Sequence, residues 1–239
     1  MQGGGGVLLA LAAQRLDVDV VHRQGRRGHQ VAGTERAERG LDARGIRAAE
    51  GRCEREILPI TVSSNGEEVT YTTDQGLRET TLEKLAELKP PFKENGVTTA
   101  GNSSQISDGA AAILLAERQK AEQLGLKVRA KIVDQVTVGV DPVIMLTGPI
   151  PATKKILQRN KMTIDDIDII EVNEAFASVV AAWRREINPD WDRVNVNGGA
   201  IALGHPLGGS GARLITTALH ELERADKEWA LVTMCCGGG

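Results

Sequence analysis

Aromatic side chains are scarce: three Trp, two Phe and one Tyr supply 3% of the 239 residues. Any core must therefore be packed from Ala, Val, Ile and Leu, and no cluster of rings is available on which nucleobases could stack. Surplus positive charge is missing too. The formal net charge is −3, which argues against a nucleic-acid binder or a polybasic membrane-surface protein, since both need cations to meet phosphates. No apolar run approaches the length of a bilayer span. The apolar stretch 7–13 has no basic segment before it, unlike a secretory signal. Cysteine is sparse as well: Cys53, Cys235 and Cys236 form no C-x-x-C pair, no zinc spacing and no disulfide framework. The expectation is a reducing, cytoplasmic compartment with no metal, no nucleic acid and no membrane partner.

What remains is ordinary for a soluble domain, with 41% hydrophobic and 26% charged residues and enough length to bury a core. The first Lys is Lys84, and residues 1–46 hold seven Arg, nine Gly and no sustained hydrophobic period. That segment reads as a disordered arm. From Arg47 onward the patterns sharpen. Glu56–Ser63 and Glu68–Thr72 are β-rich and bracket Asn65-Gly66, a hairpin signal. Thr81–Leu88 predicts a short helix stopped by Pro90-Pro91. Ala110–Ala116 is an apolar run of strand length, and Glu117–Leu124 is helical up to Gly125. Further on, Lys131–Val140, Ile167–Val172 and Trp229–Met234 predict strands, and Pro151–Arg159, Ala175–Arg185 and Gly209–Arg224 predict helices. Thr163 and Asp166 resemble a capping box. Alternating strands and helices imply an α/β domain with layered packing. The helix over Ala175–Arg185 has almost no polar face, which predicts burial on all sides.

Three segments carry the chemistry, each ending a strand or opening a helix: Asn173-Glu174-Ala175-Phe176-Ala177, Gly204-His205-Pro206, and Cys235-Cys236-Gly237-Gly238-Gly239. Taken singly, Asn173 could be a helix cap, His205 a turn histidine and Cys235 a small buried hydrophobe. Together, a thiol and an imidazole suit the making and breaking of thioesters, because one takes protons near neutral pH and the other serves as nucleophile or proton shuttle. Glycines beside Cys235 let backbone N–H groups approach a developing oxyanion. The run Gly208-Gly209-Ser210-Gly211 lacks the Gly-Lys-Ser/Thr ending of a phosphate loop.

The segments NEAFA at 173–177, NVNGGAIALGHPLGGSGAR at 195–213 and MCCGGG at 234–239, with GNSSQISDGAA at 101–111, closely resemble the thiolase superfamily, the acetyl-CoA acyltransferases. The likeness runs from about Ala48 to Gly239. It implies the C-terminal half of a thiolase-like αβαβα sandwich with a mixed, five-stranded sheet. The domains expected are an unmatched arm over 1–46, a loop-domain remnant over 47–107 and a C-terminal thiolase domain over 108–239. It also implies acyl transfer between 3-ketoacyl-CoA or acetyl-CoA and CoA, with coenzyme A thioesters as substrates and no separate cofactor, and a homo-oligomer. The position of the family's histidine is His205, which activates the nucleophilic thiol. Cys235 matches the proton-shuttling second cysteine, Asn173 the residue that fixes a water in one oxyanion hole, Gly237 the backbone donor of the other, and Ser104 a serine near the CoA pantetheine. Cys236 receives no role.

One part of the family pattern has no counterpart. The nucleophilic cysteine, in a Cys-x-Ser-Gly setting, is matched by nothing in these residues, and Cys53 in GRCEREILPI is not a displaced nucleophile. Family members also continue beyond the position of Gly239 into another strand. The expectation is therefore a piece of a longer fold, or a short chain completed by a partner, that should expose the faces its twin half covers and so associate. A non-catalytic acyl-CoA-binding or dimerising module is the alternative. The related condensing enzymes carry His in place of the second cysteine, so Cys235 counts against them.

Overall fold

The computed structural model describes residues 6–14, 57–64, 66–72 and 80–237. In chain order the elements are β1 (Gly6–Gln14), β2 (Ile60–Ser64), β3 (Glu67–Tyr71), α1 (Leu82–Ala86), α2 (Arg118–Gln123), β4 (Lys131–Val138), α3 (Pro149–Asn160), β5 (Ile169–Val172), α4 (Ala177–Ile187), α5 (Ala200–Leu203), α6 (Ser210–Ala225) and β6 (Trp229–Gly237). The hairpin around Gly66 forms as the turn dipeptide dictates, with β2 and β3 antiparallel from Ile60↔Tyr71 to Ser64↔Glu67. Thr81 caps α1, its hydroxyl accepting from the Lys84 N–H, and Thr163 and Asp166 complete a capping box.

The main sheet runs β4-β1-β6-β5, and every pairing in it is parallel. On one face α3 and α4 bury Ile156, Leu157, Val180 and Trp183 against Ile170, Val172 and Leu231. Leu214, Ala218 and Leu222 of α6 pack on the other, against Ile169, Ala230 and Val232. Parallel strands covered on both faces give the expected α/β class. Trp183 and Thr153 tie the two helices of the first face together, the indole Nε1–H donating to Oγ1 at 2.9 Å.

Four expectations are corrected. Residues 6–14 lie within the supposed arm, yet form a strand between β4 and β6. Val7, Leu8, Leu9, Ala10 and Leu11 are an unbroken apolar run, the sequence a strand covered on both faces requires, and that outweighs the glycine-rich start. Second, the sheet has four strands and no antiparallel member among the described residues, rather than five in a mixed arrangement. Third, Ala110–Ala116 is not a strand: Leu114 is 80% and Leu115 67% exposed. A strand needs a neighbour for its amides, and no described strand runs beside this segment. Fourth, α4 is not buried all round. Phe176 stays extended, the helix starts at Ala177, and Ser178, Arg184 and Arg185 face outward.

Candidate active site

The site grows from the end of β5. One residue past the strand, the Asn173 N–H donates to the Thr233 carbonyl at 2.9 Å, carrying the β5–β6 ladder forward while burying Asn173 completely. On the open side of β5, the Asn195 side chain stands in for a strand neighbour: the Val172 N–H donates to its Oδ1 at 2.7 Å and its Nδ2 donates to the Val172 carbonyl at 2.9 Å. That amide fastens the glycine-rich segment beside the strand. Gly199 then passes so close to Glu174 that a Cβ there would overlap the carboxylate, whose Oε2 accepts from the Ile201 N–H as α5 begins.

Gly204 ends α5 at φ 89° and ψ 166°, a conformation confined in practice to glycine. This turn delivers His205. Its backbone N–H donates to the Gln105 carbonyl at 2.8 Å, while the Ser104 N–H donates to the Ala175 carbonyl at 2.9 Å. The segment 103–106 is thus stitched between the Asn173–Phe176 turn and the histidine, with further bridges Ser103↔Phe176 and Ile106↔His205. The imidazole is held at both nitrogens, Nε2 lying 3.4 Å from Asn173 Nδ2 and Nδ1 lying 2.6 Å from Ser210 Oγ. Burial, and then the nearby Arg213 cation, push the His205 pKa below its ordinary value. The ring is therefore a neutral base near pH 7.

Cys235 sits two residues beyond Thr233 on β6, on the same face of that strand by the period of two. Its thiol is buried, and that burial pushes its pKa up. The resting group is therefore a neutral thiol, able to give a proton but not poised as a thiolate. Among the described residues no hydrogen bond joins it to His205 or Asn173. Among the described residues Asn173 Oδ1 is buried without a hydrogen-bond partner, an acceptor suited to a small donor such as water. Gly237 closes β6, paired with Gln14. Ser104 is half-buried on the stitched segment, whereas Cys53, Gly238 and Gly239 lie outside the described residues.

The structure thus brings Asn173 and His205 together and sets Cys235 at the end of the neighbouring strand. Sequence reasoning missed Ser210 and Asn195. Asn195 offered no periodic signal, because its role is to imitate backbone. Ser210 was hidden among the glycines that open α6. A neutral imidazole can take a proton and a neutral thiol can give one, while the Asn173 amide contacts the imidazole.

Comparison with known proteins matches residues 126–239 to the thiolase C-terminal domain and residues 43–119 to the thiolase N-terminal domain. An acetyl-CoA acetyltransferase of Syntrophomonas wolfei is 46% identical over 191 residues, covering 79% of this chain and 48% of that protein. A beta-ketoadipyl-CoA thiolase of Acinetobacter baylyi is 51% identical over 195 residues, covering 80% of this chain and 49% of the relative. The crystal structure of the Bacillus anthracis acetyl-CoA acetyltransferase superposes with a TM-score of 0.78 at 36% identity, covering 88% of this chain and 54% of that one. The chain spans about half the length of the relatives it matches.

Proposed function

Because the chain belongs to the thiolase family, we propose that it carries the proton-transfer part of an acyl-CoA acyltransferase site, working on 3-ketoacyl-CoA and CoA or in the reverse Claisen direction. His205 takes the proton of the attacking thiol at Nε2. That sulfur bonds to the 3-keto carbon, the bond between the α and β carbons breaks, and the departing acetyl-CoA carbanion takes the proton of Cys235. The Cys235 thiolate then accepts the proton of an incoming CoA, whose sulfur takes the acyl group from the first sulfur, and that departing thiolate regains its proton from His205. Asn173 holds a water through Oδ1 beside one thioester oxygen, the Gly237 N–H faces the other, and Ser104 lies against the pantetheine arm. Separate groups for thiol activation and α-carbon protonation are what opposing proton tasks require. The setting is a cytoplasmic homo-oligomer in fatty-acid and related lipid metabolism.

One observation carries this reading: the Asn173–His205 contact at 3.4 Å, made where β5 ends beside the strand that bears Cys235. No Cys-x-Ser-Gly segment occurs in the sequence, so the test adds the nucleophile-bearing N-terminal half of a relative. Thiolysis of a short 3-ketoacyl-CoA is expected on mixing and should vanish with H205A. CoA binding measured by calorimetry without any turnover would instead favour a non-catalytic acyl-CoA-binding module. A stable acyl adduct on Cys235 or Cys53, seen by intact mass after acetyl-CoA treatment, would refute the reading that these residues lack the nucleophile, and on Cys235 it would refute the shuttle role as well.

A further inference from the structure

We propose that Ser210 is the positioning residue that sets the tautomer of His205, keeping the ring proton on Nδ1 and turning the bare Nε2 toward Asn173. The inference deepens the acyl-transfer reading and rests on it for its purpose, though not for its chemistry.

Ser210 opens α6 and is fully buried. Its hydroxyl has one hydrogen to give and two lone pairs. Oγ lies 2.9 Å from the Pro206 carbonyl, which has no hydrogen to offer, so the hydroxyl proton points there. The same carbonyl is fixed by a tight turn, accepting from the Gly209 N–H at 2.9 Å and the Ser210 N–H at 2.8 Å. Toward His205 the serine oxygen can then only accept, and the 2.6 Å contact needs a proton from Nδ1. A neutral imidazole carries one ring proton. Nε2 is left with its lone pair and faces the Asn173 amide nitrogen, which has hydrogens to donate. Both ends of the ring therefore ask for the same tautomer. The opposite one would set Nε2–H against the Asn173 NH2 and draw the serine proton away from Pro206.

The consequence is directional. A neutral imidazole with its proton on Nε2 cannot take a proton at that atom, whereas the Nδ1–H form can, and on protonation it is already bonded to Ser210. The serine thus plays the part that a carboxylate or carbonyl plays behind other catalytic histidines.

Ring-nitrogen 15N NMR of the full chain near pH 8 reads this directly. His205 is one of four His residues and is assigned by loss of its signals in H205Q. The wild type should show His205 with Nδ1 protonated and Nε2 bare, in about tenfold excess over the other form, the ratio that one net hydrogen bond sustains. S210A should lower that excess several-fold, leaving only the preference set by the Asn173 amide, and S210T, which keeps a hydroxyl, should restore it. A wild-type His205 protonated on Nε2 overturns the proposal, as does a folded S210A with an unchanged ratio. Should S210A fail to fold, the wild-type spectrum alone decides. Absence of thiolysis with the Nδ1–H form intact would sink the acyl-transfer reading and leave the serine's role standing; the converse result would separate them the other way.

Discussion

Substituting Gly204 by Ala probes the turn that presents His205. The backbone there, at φ 89° and ψ 166°, lies in a region that costs a residue with a Cβ about 1–3 kcal/mol. The added methyl would also overlap the Ser107 hydroxyl. That hydroxyl donates to the Gln105 carbonyl at 3.1 Å, and the same carbonyl accepts the His205 N–H. Crowding Ser107 therefore pushes on the atom that anchors the histidine, adding an overpacking cost of about 1 kcal/mol or more. The expected loss for G204A is about 2–4 kcal/mol, measured by urea unfolding. The double variant G204A/S107G removes the overlap and leaves only the backbone cost, about 1–3 kcal/mol. Gly208 serves as the control: a Cβ there meets nothing within 4 Å, so G208A should stay within about 0.5 kcal/mol of wild type. If G204A proves as stable as G208A and leaves the His205 ring signals unmoved, the account of how the imidazole is placed is wrong.

Further expectations concern the core and the titrating groups. W183F removes the donor to Thr153 Oγ1 at a fully buried contact and should cost about 1–3 kcal/mol; adding T153V should return part of it, and strict additivity in that cycle would deny the coupling. The lowered pKa of His205 means the unfolded chain binds its proton more readily. Stability is thus fully present above about pH 6.5, the unfolded value, and falls as pH drops toward the folded value; urea midpoints from pH 8 to 5 should show this, with a shallower slope in H205Q. Timed alkylation with peptide mapping should label the exposed Cys236 before the buried Cys235, whose raised pKa suppresses its thiolate; faster labelling of Cys235 would contradict a neutral resting thiol.

Local rules served well where local forces decide. Asn65-Gly66 predicted the hairpin, Thr81 the start of α1, and Gly125 the stop after α2, where it adopts φ 63°. Helix α3 begins at Pro149 rather than Pro151, because proline costs nothing in a first turn whose amides are unpaired. Failures arose where a partner decides. Ala110–Ala116 has the apolar content of a strand but no described strand beside it, and Val7–Ala13 has the same content with two. Nothing in either stretch distinguishes them. At the site, Asn173 and His205 were legible from their motifs, and the structure puts them in contact. The bond from Ser210 to His205 was not legible, since it depends on a turn folding the start of α6 back onto the ring.

The position of β1 also has a kinetic consequence. Gly6 pairs with Trp229, partners 229 − 6 = 223 positions apart along the chain, so this ladder has very high contact order. Closing so long a loop forfeits entropy before any pairing compensates it. The central slot of the sheet should therefore fill last, after α3, α4 and α6 have docked on β5 and β6, and its amides should be the slowest to gain protection from hydrogen exchange during refolding.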